Sequence, residues 1–194
     1  MSRISQPWPP VEVEPATVHP EAPRQGSHLG IHYGECFGCG DEIEAGLHLH
    51  STVGEGTTVY SKFTVTSAHQ GAPGLAHGGL LACAFDEALG ATVGNLLRRP
   101  AVTGKLETDF LRPVPVGSTL YIATKLDGVA GRKIYVSADG RLGAEDGPVA
   151  VRARALFVRV EFEHFSTHGD PEALQKLAAA HEKAERAREW DINP

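Results

Sequence analysis

The chain has little cysteine, no surplus of positive charge and no unbroken apolar run of membrane-spanning length. Its three cysteines in 194 residues are an odd set, too few for a disulfide framework, and they fit a thiol-reducing, cytoplasmic setting. The 24 acidic against 18 basic side chains leave a formal net charge of -6, which gives the chain as a whole no electrostatic attraction to nucleic acid or an anionic bilayer. An anionic ligand must therefore find a local basic patch. A membrane helix needs roughly 20 apolar residues in succession, and the best run, Leu75 to Leu97, is broken by Gly78, Gly79, Asp86, Glu87, Gly90 and Gly94. No charged-then-apolar leader is expected, because residues 1–30 are proline-rich and polar. No internal repeat is visible.

What remains is a composition of 41% hydrophobic and 22% charged residues, near the average for a globular chain and enough for one domain with a full-sized core. Three segments are expected. Residues 1–35 form an arm whose prolines (Pro7, Pro9, Pro10, Pro15, Pro20 and Pro23) prevent regular hydrogen-bonded structure; it either lies along the domain or a partner subunit with Trp8 as its anchor, or is a solvated tail. Residues 36–164 form the domain. Residues 165–194 form a helical appendage opening at Asp170-Pro171-Glu172, where an acid caps the helix and proline occupies its first turn; the appendage continues over Ala173 to Glu189.

Within the domain, Leu47, Leu49, Thr58, Tyr60, Phe63 and Val65 lie at a period close to two around the Gly54-Glu-Gly56 turn, which predicts a hairpin. The loop Gly71 to Gly74 leads into a segment where Leu80, Leu81, Ala84, Phe85, Ala88, Leu89 and Val93 leave no polar face, so a buried helix is expected. Four strand-like runs follow, Val102 to Leu111, Ser118 to Leu126, Lys133 to Ala138 and Val149 to Glu163, with Gly128, Gly131, Gly140 and Gly147 among the breaks. Strands, one long helix and four more strands predict an α+β fold, an antiparallel sheet wrapped around a central helix.

The chemistry concentrates between His69 and Glu87. Gly78 and Gly79 stand where the loop becomes the helix, so their amides are unpaired donors at the positive end of the helix dipole, able to face a developing oxyanion. A glycine pair can also serve only as a turn. Asp86 is harder to explain as structure, because an aspartate inside an apolar helix is costly to bury unless it reaches a cavity or a partner. Glu87 competes for the same role but lies about 100° further round the helix, so at most one of the two points into a given site; a wet stripe carrying both, or Asp86 capping a neighbouring strand, are the structural alternatives.

His77-Gly78-Gly79, with an acid nine residues after the histidine at Asp86, resembles the signature of the hotdog-fold thioesterases, in particular their phenylacetyl-CoA thioesterase-like (PaaI-type) branch. The segment Thr103-Gly-Lys-Leu-Glu-Thr-Asp-Phe-Leu-Arg112-Pro113 is similar to that branch too. The resemblance covers about Cys36 to Val160. It implies a hotdog fold and hydrolysis of an acyl-CoA or acyl-carrier thioester, with no redox cofactor and no metal needed for the chemistry; coenzyme A enters only as part of the substrate. By the same resemblance the Gly79 amide polarises the thioester carbonyl, His77 shapes the loop, Asp86 is general base or nucleophile, and Thr103 positions Asp86 or the water. It further implies a homodimer or dimer of dimers, with Asp86 and Thr103 meeting from different chains. Gly78, Arg132, Lys133 and Arg112 are the candidate substrate contacts, the basic ones for the phosphates of coenzyme A. Gly104 and Lys105 depart from the branch, which has alanine and asparagine there. The hydratase pattern of an aspartate followed five residues later by histidine is not met, since Ala91 stands at that position. A non-catalytic acyl-CoA-binding domain is the alternative.

Cys36-Phe-Gly-Cys39 followed by His48 and His50 has the residue types of a tetrahedral zinc site, but the spacing from Cys39 to His48 is short. A glycine-rich turn with packed thiols is the simpler expectation, and no metal ligand is assigned. Cys83 is expected to be a small core residue.

Overall fold

The computed structural model describes residues 7–179, in two units that divide between Arg159 and Val160. The first unit is ordered β1 (His28–Leu29), β2 (His50–Val53), β3 (Val59–Thr64), β4 (Gln70–Ala72), β5 (Leu75–Ala76), α1 (Gly78–Leu97), β6 (Ala101–Phe110), β7 (Thr119–Ala130), β8 (Lys133–Leu142) and β9 (Val149–Arg159). The expected hairpin is β2–β3. Val59, Ser61 and Phe63 point inward from β3 while Tyr60, Lys62 and Thr64 face out, the period-two alternation of a half-buried strand. Seven strands form one antiparallel sheet in the order β1-β2-β3-β7-β8-β9-β6. The short β4–β5 ribbon stands apart and leads into the helix.

The sheet wraps α1, which packs on β3, β6, β7, β8 and β9. Phe85, Leu89, Val93 and Leu96 of the helix are buried against Leu120, Ile122, Val136 and Val151 of the strands, as the α+β hotdog expectation requires. By length and a mean hydropathy of 1.3, α1 is apolar enough to cross a membrane despite its interrupting glycines and acids, and half of it is buried inside the fold. The other face carries Gly79, Ala82, Cys83, Asp86 and Gly90 at partial or full exposure. The expectation of a helix without a polar side therefore holds for the core-facing half. One buried polar chain crosses the core: the Thr92 hydroxyl donates to the Ala88 carbonyl at 2.8 Å and lies 2.6 Å from that of Thr124, which in turn bonds the Val59 backbone.

Two glycines expected to end strands instead lie inside them. A Cβ at Gly140 of β8 would sit 2.5 Å from Cζ of Phe85, so glycine there lets the helix approach the strand. Gly128 of β7 has φ +157° and lies beneath Val13, whose Cγ2 would be 2.4 Å from an added Cβ. The second position is where the N-terminal arm crosses the sheet. Glu14 pairs with Val129 through two backbone hydrogen bonds of 2.9 Å, and β1 adds an edge strand beside β2. The expectation that prolines exclude regular pairing throughout the arm is thus corrected, because pairing occurs where the chain is free of proline. Trp8 anchors the arm: its indole N–H donates to Asp127 at 2.9 Å and its ring meets Tyr135 edge-on.

In the second unit, α2 (Glu163–His168) replaces the end of the strand expected to run to Glu163. Residues 171–179 are helical, and Asp170 caps them by accepting the Glu172 and Ala173 amides at 2.8 and 3.3 Å. The continuation to Glu189 lies outside the described residues.

Candidate active site

The N-terminus of α1 is positioned by backbone bonding before any side chain acts. The β4–β5 ribbon turns at Pro73-Gly74, the Ala76 amide donates to the Val114 carbonyl at 2.9 Å, and the His77 amide donates to the His69 carbonyl at 2.8 Å. His69 is a buried, fully paired histidine: Nδ1 accepts the Thr66 amide, so Nε2 carries the proton and donates to the Gly46 carbonyl. His77 then caps the helix, its Nδ1 accepting the Gly79 amide at 2.9 Å while its carbonyl accepts from Leu80 and Leu81. The Gly79 amide expected to meet the substrate is therefore bonded to His77. Gly78, the other expected contact, holds the remaining first-turn amide, which has no partner among the described residues, and the Phe110 ring lies 3.4 Å from where a Gly78 side chain would begin.

Asp86 lies half-buried on the outer face of α1. Its Oδ1 accepts a hydrogen bond from the Thr103 hydroxyl at 2.8 Å. Thr103 reaches it because β6 returns beside α1 after the Arg98-Arg99-Pro100 turn and because its register against β9 shifts between Thr103 and Lys105. Gly104 is the extra residue of that bulge, and bulges re-aim neighbouring side chains. Asp86 and Thr103 thus meet within one chain, which corrects the expectation that they come from different chains: a three-residue connection leaves β6 no route except back along its own helix. Gly79 and Asp86 are seven residues apart on one face of α1, about 10 Å along the axis. A carbonyl held by one chain's Gly79 amide lies beyond direct attack by that chain's own Asp86 carboxylate.

The basic candidates do not form one patch within the chain. Arg132 lies in the β7–β8 turn next to Lys133, and its carbonyl accepts the Arg159 amide at 2.8 Å. Arg112 lies past the far end of β6, its guanidinium on the Val149 carbonyl, roughly 30 Å away at the rise of a ten-residue strand. Lys105 is committed to Glu107 at 2.6 Å, and Arg154 reaches the same carboxylate at 2.7 Å; the two cations together hold Glu107 below the ordinary carboxylate range. Beside Arg132 is a cavity of about 290 Å³ lined by Thr17, His19, Leu97, Arg99, Gly131 and Arg159. Arg159 was not a sequence candidate, since it reads as one more outward residue of an alternating strand.

Cys36 and Cys39 do not meet His48 or His50. His48 turns its ring onto the Gly40 and Glu44 carbonyls, and His50 is exposed on β2. The thiols meet His32 and Glu87 instead. Cys36 Sγ donates to Glu87 Oε2 at 3.4 Å, Cys39 Sγ lies 3.1 Å from His32 Nδ1, and His32 Nδ1 lies 3.5 Å from Glu87 Oε1. The hydrogen bond with Glu87 raises the His32 pKa against the opposing effect of burial. Burial works to raise Glu87, but bonds from His32, Cys39 and Cys36 outweigh it and leave the carboxyl lowered. Burial pushes both thiols up. The spacing His32-x3-Cys36-x2-Cys39 was the available signal for His32; nothing in the sequence pointed from that loop to Glu87.

Residues 73–149 match the family model described as Thioesterase superfamily. The chain is 37% identical over 98 residues to the Bos taurus protein named Acyl-coenzyme A thioesterase THEM4, covering 50% of this chain and 39% of that one. It thus spans about two-fifths of that relative's length. The crystal structure of protein RHA08564, a thioesterase superfamily protein, superposes with a TM-score of 0.58 at 28% identity, over 71% of this chain and 70% of that one. The E. coli PaaI protein shares the fold, with a TM-score of 0.54 at 19% identity over 59% and 81% of the two chains. With the wrapped helix, the matched segment and these likenesses in agreement, residues 73–149 resemble the Thioesterase superfamily and the chain shares the hotdog fold of these solved structures.

Proposed function

We propose that the chain hydrolyses acyl-CoA thioesters. The observation that carries this reading is the Asp86 carboxylate, held by the Thr103 hydroxyl at 2.8 Å on the outer face of a helix whose N-terminal amides lie on the same side. Asp86 takes a proton from water as the water oxygen attacks the thioester carbonyl carbon. The amide at the helix N-terminus faces the oxygen of the tetrahedral intermediate. Collapse breaks the carbon–sulfur bond, and the CoA thiolate leaves with the proton returned from Asp86. Were the carboxylate itself to attack, an anhydride would form and water would then hydrolyse it; both routes require Asp86. The name of the Bos taurus relative supports acyl-CoA as the substrate class. Arg132 and Lys133, with Arg99 and Arg159 at the adjoining cavity, supply the cations for its phosphates.

The separation of Gly79 from Asp86 supports a site shared by two copies. Two α1 helices laid antiparallel and crossing near Ala82 and Cys83 bring the Gly79 amide of one chain to Asp86 of the partner subunit. The occupied Gly79 amide favours the second reading, a non-catalytic acyl-CoA-binding domain. A thiol-release assay over short, medium, long and aromatic acyl-CoAs separates the two. The expected result is hydrolysis of at least one class, lowered by about a hundredfold or more in Asp86→Ala. Silence across the panel with acyl-CoA still bound would establish the binding domain.

A further inference from the structure

The loop around Cys36 is built more tightly than a connecting turn requires. The Gly38 amide donates to Cys36 Sγ at 3.3 Å and the Gly40 amide to the Cys36 carbonyl at 2.8 Å. The Leu47 and Leu49 amides hold the loop from the other side through the Phe37 and Gly38 carbonyls, at 2.8 and 2.9 Å. A Cβ on Gly38 would sit 2.5 Å from Glu87 Oε2 and one on Gly40 would sit 2.1 Å from the Gly34 carbonyl oxygen, so both glycines are required for the thiols to reach the helix. The Gly38 amide partly offsets the burial that pushes the Cys36 thiol up, and a bound cation would supply the rest of what the thiolate needs.

We propose that His32, Cys36, Cys39 and Glu87 bind one zinc ion. The four donor atoms, one imidazole nitrogen, two sulfurs and one carboxylate oxygen, all lie within 4.8 Å of one another. A tetrahedral ion with bonds of about 2.3 Å to sulfur and about 2.0–2.1 Å to nitrogen or oxygen sets its ligands about 3.3–3.8 Å apart. The contacts of 3.4 and 3.5 Å among them are already of that size, and the Cys39–His32 contact of 3.1 Å needs to open by a few tenths of an ångström. Two thiolates with one imidazole select a borderline-soft ion over magnesium or calcium, which prefer oxygen donors at higher coordination number. Nδ1 is the ligating nitrogen of His32, because both of its contacts into the cluster are made there. A Cys36–Cys39 disulfide would use the sulfurs but would leave the His32–Glu87 pair without the thiols that both now face.

The ion ties a loop near the N-terminal arm to the middle of α1, one residue after Asp86. Glu87 thereby has a role separate from the hydrolytic site, and the site stands whether or not the chain is a thioesterase. The proposal departs from the sequence expectation of packed thiols with no metal ligand, because two of the four ligands, His32 and Glu87, lie outside the Cys36-to-His50 segment from which a site was sought.

The test uses the full chain without an affinity tag, purified reduced and without chelator. Elemental analysis is expected to find about one zinc per chain. Replacement by Co²⁺ should give thiolate-to-cobalt absorption in the near ultraviolet and strong visible bands of tetrahedral coordination. Cys36→Ser with Cys39→Ser should abolish both. Should that double variant fail to fold, Glu87→Gln, which keeps both thiols, should still bind Co²⁺ with changed visible bands and at least about tenfold weaker affinity. Substoichiometric zinc with no cobalt spectrum, a Cys36–Cys39 disulfide in the freshly purified chain, or cobalt bands unchanged in Glu87→Gln would overturn the proposal.

Discussion

Asp86 and Glu87 are neighbours in sequence and belong to different surroundings. The turn of about 100° between consecutive helical residues sends one carboxylate to Thr103 and the other to His32 and the two thiols. In the proposed mechanism Thr103 acts through Asp86 as a positioning residue, since its hydroxyl hydrogen is spent on the carboxylate. A hydrogen bond to a charged group contributes about 1.5–3 kcal/mol, so Thr103→Val is expected to lower kcat about tenfold or more with KM little changed, and Thr103→Ser to restore most of it. A steady-state comparison of the three proteins checks this; loss confined to KM would place Thr103 in substrate binding. That an acid stood within the helix was legible because charge in an apolar helix is conspicuous. Which hydroxyl it would meet was not legible, because that depends on a bulge at Gly104.

At the scale of elements, α1 and the sheet are fitted to each other at Gly140. The strand has no side chain where the Phe85 ring, fully buried, meets it. Gly140→Ala is expected to destabilise the fold by about 1–3 kcal/mol through overpacking. Combining it with Phe85→Leu should recover part of that loss, a coupling that urea denaturation of the four proteins would measure. Additive losses would mean that the two positions do not press on each other. The sequence presents Gly140 and Gly128 as breaks, since glycine punctuates strands more often than it permits close approach. Hydrophobic alternation does place β3, β7 and β9, because half-buried strands carry their orientation in a period of two. The cap of the helix was only half legible: His77 was expected to shape the loop, whereas its hold on the Gly79 amide is a matter of ring orientation.

For the whole molecule, the sheet ends on β6, a ten-residue strand that among the described residues is paired on one side only, with β9. Long unpaired edges invite pairing with another chain, and the small residues on the outer face of α1 let a second helix approach beside it. The protein is expected to be a dimer, or a pair of dimers, at micromolar concentration. Light scattering checks this, and a monomer that retains full hydrolytic activity would show that one chain completes the site. If the site is shared, mixing inactive Asp86→Ala chains with inactive Gly79→Val chains should restore activity through hybrid dimers that hold one intact site.

The sequence by itself determined the class of fold, the buried helix, most strands and the conspicuous acids within that helix. These are written in local periodicity, in turn residues and in the cost of placing an acid among apolar neighbours. Tertiary structure alone decided which residues meet: Thr103 with Asp86 across a bulge, Val13 over Gly128, and His32 with Cys36, Cys39 and Glu87 across more than fifty residues of chain. Such contacts depend on sheet order and on the rotation of one helix within it, and no local window of sequence contains either.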